Sequence, residues 1–160
     1  VSIREIREAI VARMSAIPDI GVVQKFERYA KDEATLKKFY YSPAHGNLRG
    51  WYVRRLATSE SGNRQASSVE VCTWRIRGYM SLSDAAETEL VFDDLIEGVR
   101  DAFVPDESLG GLVDQCSDPT NIDGVSGIQL IDAGPVMFGG VLCHSARLEL
   151  LTVRFLDRSP

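Results

Sequence analysis

Apolar residues recur three and four apart at Ile3, Ile6, Ile10, Met14 and Ile17, which places them on one face of a helix over residues 2–17. Ser2 with Glu5 three positions on has the pattern of a capping box, and Pro18 and Gly21 end the helix. A short strand is expected over Gly21–Tyr29, with Val22, Val23 and Phe26 as its apolar content, and then a helical turn over 32–39 capped by Asp32. Residues 40–47 read as irregular chain. Gly50–Thr58 and Val69–Met80 are strands, the second apolar on both faces and therefore interior. The polar stretch 59–68 between them reads as a long, mobile hairpin tip.

The longest helix is expected over Ser83–Phe103, with Ser83 as its N-cap. Its buried stripe is Thr88, Val91, Phe92, Leu95, Val99, Ala102 and Phe103, and Pro105 stops it. Residues 105–124 form an acidic loop with a short turn near Leu109–Val113. Val125–Asp132 is a strand that Val136–Gly140 extends, and Val141–Leu156 is the final strand, central in the sheet where Leu148–Val153 is apolar throughout. The tail 157–160 is expected to fray. This order predicts one domain over 1–160 in the α+β class. Its single mixed, mainly antiparallel sheet would carry the helices 2–17 and 84–103 on one face.

Composition adds one feature to this outline. The 160 residues are 44% hydrophobic and 26% charged, enough for a core without staples, and carry a net charge of −5. That charge is unevenly spread: residues 1–83 sum to +6, residues 84–123 to −11 and the remainder to zero. No apolar run is long enough to span a bilayer, and the first residues lack the apolar stretch of a signal peptide. Cys72, Cys116 and Cys143 are too few and too widely spaced for a disulfide framework or a zinc knuckle, so a cytosolic protein with reduced thiols is expected.

Candidate chemistry is sparse. His45 lies in a loop and His144 in a strand beside Cys143, whose side chain points to the opposite face; both histidines read as structural or solvent-exposed. Glu89, Asp93 and Glu97 are four apart on the long helix, with Asp94 adjacent. Three carboxylates in line could hold a hard cation, but no histidine joins them, and a solvated or partner-facing stripe is the plainer reading. The Asp114–Asp123 segment lacks the ligand spacing of a calcium loop, and no glycine-rich stretch has a phosphate-binding signature. No cofactor or metal is therefore expected. Arg49, Arg54, Arg55, Arg64, Arg75 and Arg77 cluster about the hairpin, interleaved with Trp51, Tyr52 and Trp74. Such a pattern suits either nucleic acid or a protein interface, although aromatics at strand spacing are commonly core.

The opening Ile3–Met14, with Ile20–Val23 and Phe26–Tyr29, is followed by Gly50–Val53, by Trp74–Met80 ahead of a long helix, and by the closing strand Ala146–Val153. Taken together these resemble the tail-terminator (tail-completion) proteins of long-tailed bacteriophages and prophages, in the manner of the minor tail protein U group. The resemblance spans most of the chain and is one of element order and length more than of a sharp motif. It implies a non-enzymatic structural protein of the virion tail, held in the host cytoplasm before assembly. It also implies a homo-oligomeric ring, a hexamer, that caps the head-proximal end of the tail tube, stops polymerisation and offers a docking surface to the head connector. The partners would be copies of itself, the tube protein and the head-completion protein, with DNA passing through the lumen and no membrane involved. The acidic segment 114–123 has no counterpart in that pattern.

A ring requires that one patch of each subunit meet a different patch of the next. The charge split offers such a pair: Arg54, Arg55, Arg64, Arg75 and Arg77 on one side, and Glu89, Asp93, Asp94 and Glu97 on a neighbour or on the tube below. The alternatives are another neck component such as an adaptor or stopper, a nucleic-acid or protein-binding module using the Arg/Trp hairpin, and a small enzyme using Asp93 and Asp94 with a metal.

Overall fold

The computed structural model describes residues 1–63 and 65–159. Helix α1 spans Ile3–Ser15 and begins with the expected capping box: the Ser2 hydroxyl accepts from the Glu5 backbone N–H and the Glu5 carboxylate accepts from the Ser2 N–H. Strand β1 is confined to Val22–Gln24, shorter than its apolar content suggested. Helix α2, Glu33–Tyr40, is capped by Asp32, whose carboxylate accepts from the Thr35 N–H at 2.8 Å. A two-residue strand β2, Tyr41–Ser42, follows it.

Strands β3 (Asn47–Asn63) and β4 (Ser67–Ser81) pair from Arg49↔Met80 through Asn63↔Ser67. The polar stretch 59–68 is therefore mostly paired strand, a correction to the long mobile tip. Its residues lack apolar anchors, but backbone pairing and ion pairs hold them: the Glu60 carboxylate accepts from Arg158 at 2.8 Å and from the Ser68 hydroxyl at 2.6 Å. Of the tail expected to fray, Asp157 is the last residue of strand β6, Val141–Asp157, and the Arg158 N–H donates to the Ala66 carbonyl, which corrects that expectation for these two residues; Pro160 lies outside the described residues.

The expected helix 83–103 is divided. A 3-10 turn covers Asp84–Ala86, Glu87 takes a left-handed conformation at φ 52°, and helix α3 proper is Thr88–Ala102. Ser83 makes no side-chain cap bond. The Thr88 hydroxyl instead accepts from the Ser83 N–H and donates to the Ser83 carbonyl, tying down the chain before α3. The buried stripe is Phe92, Leu95, Ile96, Val99 and Phe103, while Val91 faces solvent. Strand β5, Gln129–Phe138, runs unbroken through Gly134-Pro135, which an edge strand tolerates because the missing proline N–H belongs to no ladder.

Among the described residues the strands form one six-stranded sheet in the order β1-β3-β4-β6-β5, with β2 attached to β3. The β1–β3 pair is parallel and the other pairs are antiparallel, so the fold is α+β with a mixed, mainly antiparallel sheet. Trp51, Val53, Trp74, Ile76, Leu148 and Leu150 project from one face against α1 and α3 in the main core. Leu109, Val113 and Cys116 of the segment 105–124 fold into that core, so the segment is an anchored loop. Helix α2 covers one end of the opposite face, where Tyr40, Leu48, Tyr52, Tyr79 and Cys143 form a smaller core.

Candidate interface surfaces

The basic residues of the β3–β4 hairpin divide between the two faces. Arg54 lies directly opposite Arg75, and Arg77 occupies the next row on the same face, away from α1 and α3. Arg55 sits opposite buried Trp74 and so belongs to the helix-bearing face. Arg64 falls outside the described residues. The open-face arginines are partly neutralised: Arg54 donates to Glu27 at 3.0 Å, Arg75 lies 3.6 Å from Glu149, and Arg147 donates to Asp132. Arg77 has no ion pair among the described residues, and its guanidinium lies 5.3 Å from the Tyr79 ring.

Arg55 has no ion pair there either, and it joins a second cationic group. Arg4, Arg7 and Lys25 border a groove beside α1, with Glu8 and Phe26. The Arg7 guanidinium lies 5.6 Å from the Trp74 ring, and its pKa is lowered by burial first and then by the charges of Arg55 and Arg4. The Arg7 guanidinium also donates to the Lys25 carbonyl at 3.0 Å, and Glu8 is the one carboxylate among the residues that line this groove.

Trp51 and Trp74 are wholly buried and Tyr52 nearly so. The Trp51 indole donates to the Ile20 carbonyl and the Trp74 indole to the Thr152 hydroxyl, both at 2.9 Å. The aromatics of the hairpin are core residues with satisfied N–H groups, so they offer no stacking platform to bases.

Glu89, Asp93, Asp94 and Glu97 are all exposed on α3. Glu97 pairs with Arg100 at 3.1 Å, and the other three make no ion pair among the described residues. No group of three or more His, Cys, Asp or Glu is placed to hold a metal ion among the described residues. Near the start of α3 a solvent-open cleft of about 370 Å³ runs between the helix and strands β5 and β6. Its apolar surface comes from Leu90, Phe92 and Pro135, and its rim carries Asp84, Glu87, Glu89 and Asp93. His144 lies in its wall, 2.7 Å from the Thr88 hydroxyl and stacked at 5.8 Å on Phe92. The sequence pattern gave the carboxylates of this cleft but not its apolar floor, because β5 and α3 meet only through the order of the sheet.

The other histidine has neighbours of a suggestive kind. His45 Nδ1 is 2.7 Å from the Ser42 hydroxyl, and Nε2 is 3.3 Å from the Asp19 carboxylate. Ser42 is 3% exposed, and the backbone N–H groups of His45 and Gly46 both donate to its carbonyl. The cluster closes the turn before β3 and does not present its serine oxygen to a substrate. The three cysteines are free and buried, and burial pushes Cys116 up to about 12 and Cys143 up to about 11, away from thiolate chemistry.

No known family model matches the chain, and no curated protein matches it. Among the described residues no helix is long and apolar enough to cross a membrane.

Proposed function

We propose that this chain is a structural component of a phage or prophage tail, which assembles as a ring of six copies on the head-proximal end of the tail tube. The ring stops tube growth and provides the surface on which the head connector docks, with DNA passing through its lumen. The observation that carries this reading is the lateral separation of charge. The β1–β3 side of the sheet bears Arg4, Arg7, Lys25 and Arg55, which make no ion pair among the described residues and share their groove with the single carboxylate Glu8, whereas α3 beside the β5 edge bears Glu89, Asp93 and Asp94, likewise without an ion pair among the described residues. A subunit positive at one edge and negative at the other is suited to head-to-tail contacts, which form a ring when the rotation from one copy to the next closes. The copy number, the tube end and the connector come from the family resemblance and not from this charge pattern.

Negative-stain imaging of the purified protein mixed with tail tubes tests the proposal. The expected result is a ring at one end of each tube and an arrest of further polymerisation. Reversing Asp93, Asp94 and Glu97 to Lys is expected to abolish the ring. Bare tubes with the unmodified protein, at concentrations that saturate tube ends with other capping factors, would remove the proposal.

A further inference from the structure

The register of β3 and β4 slips at one position, between Arg55 and Ala57, leaving Leu56 without a partner on β4. A bulge of this kind bends the strand and re-aims the side chains beside it. Leu56 is an exposed apolar residue that follows Arg55, which has no ion pair among the described residues, on a stretch of β3 that β1 does not cover. The far side of the same subunit has the complementary charge, in the cleft whose lining includes Leu90, Phe92 and Pro135 together with Glu89 and Asp93.

We propose that the Leu56 bulge of one copy docks in the α3–β5 cleft of the next, with Arg55 meeting the carboxylates of the rim. The proposal rests on the ring reading and names the contact that would build it. An apolar knob beside a cation suits a cleft lined by apolar residues and anions, and a second copy supplies that knob without a further partner. The two surfaces cannot meet within one subunit. In the sheet, β3 and β5 are three strand intervals apart, and Leu56 lies six residues along β3 from the level of Gly134. Those spacings separate knob and cleft by roughly 24 Å. In a closed ring of identical subunits the knob and the cleft of each copy lie at the same height along the ring axis.

The test is a double variant at exposed positions beside the contact, Ala57→Cys next to the knob with Asp84→Cys in the cleft wall, treated with a bis-maleimide shorter than that separation. The native thiols are buried. The expected product is a covalent ladder reaching trimers and beyond, whereas either single variant stops at dimers. Adding Arg55→Glu should cut the ladder at least about tenfold, and further adding Asp93→Arg should restore it, which also shows that the variants fold. A ladder no longer than that of the single variants, or one that ignores Arg55→Glu, overturns the proposal. The reaction is run with and without tail tubes. A tube-end ring without the ladder overturns this contact but leaves tube capping intact, and a ladder without a tube-end ring does the reverse.

Discussion

Gly78 faces Trp51 across the β3–β4 ladder, and a Cβ there would lie 2.3 Å from the indole ring. The ring has no room to retreat, because it stacks on Phe92 at 5.7 Å and is tethered through its N–H to Ile20. Gly78→Ala should therefore destabilise the fold by about 1–3 kcal/mol, the usual cost of overpacking, read as a lower denaturant midpoint at unchanged slope. Glycine here is dictated by the tryptophan opposite and not by backbone conformation. That could not be read from the sequence, since the pairing of residues 51 and 78 depends on the register of a hairpin whose length its polar tip disguised. The cysteines show the contrary case. Their apolar neighbours predicted burial for Cys72 and Cys143, and both are buried and free.

At the scale of elements, the first turns of α1 and α2 were legible because Ser2, Glu5 and Asp32 act within three residues of themselves. The start of α3 was not. Ser83 and Asp84 resemble a cap, yet the Thr88 side chain takes the Ser83 backbone groups and Glu87 turns left-handed between them. The loop 105–124 adds to its buried anchors Leu109, Val113 and Cys116 a polar hub built on one side chain. Asp106 accepts from the Ser108 hydroxyl and N–H and from the Gly110 N–H, and it receives Arg13 of α1. The Ser108 hydroxyl leads the interactions that hold its carboxyl well below the usual carboxylate range, followed by the backbone donors. A depressed folded-state pKa contributes stability above the unfolded-state value, near 4, and loses it as the pH falls below that value. Asp106→Asn should therefore lower the denaturant midpoint at about pH 7, and its difference from the parent should shrink steadily on acidification below about pH 4. A difference that stays constant across that range would exclude the ionised carboxylate as the cause.

On the scale of the whole molecule, the sheet order converts a pattern in one dimension into an arrangement in three. The +6 and −11 blocks of the sequence meet at the Arg13–Asp106 pair, but β4 and β6 stand between β3 and β5 and keep the two sheet edges apart. The class of fold and the two helices on one face were legible, because helical and strand periodicities are local. Which arginines share a face was not, because Arg55 and Arg54 differ only by the alternation of the pleat. Charge across an interface of this kind is screened by salt, over about 8 Å at physiological ionic strength and about 3 Å at 1 M. Self-association should accordingly weaken as salt rises from low to molar concentrations, which sedimentation velocity measures; association that is indifferent to salt would count against the charge-based ring and the Arg55 contact alike.

The central position of β6 has a consequence in time. Strand β4 is complete at Ser81, but its second neighbour in the sheet ends at Asp157, so translation at ordinary speeds leaves that edge of β4 bare for roughly 4–15 s. An uncovered edge during synthesis invites pairing with other nascent chains. The cleft beside α3, however, takes His144 and Ser145 from that same late strand, and β5 has no neighbour to lie against until it arrives. The acidic half of the proposed contact therefore comes into being only once residue 145 has been added, and a copy short of that point would have a knob to offer but nothing with which to receive one.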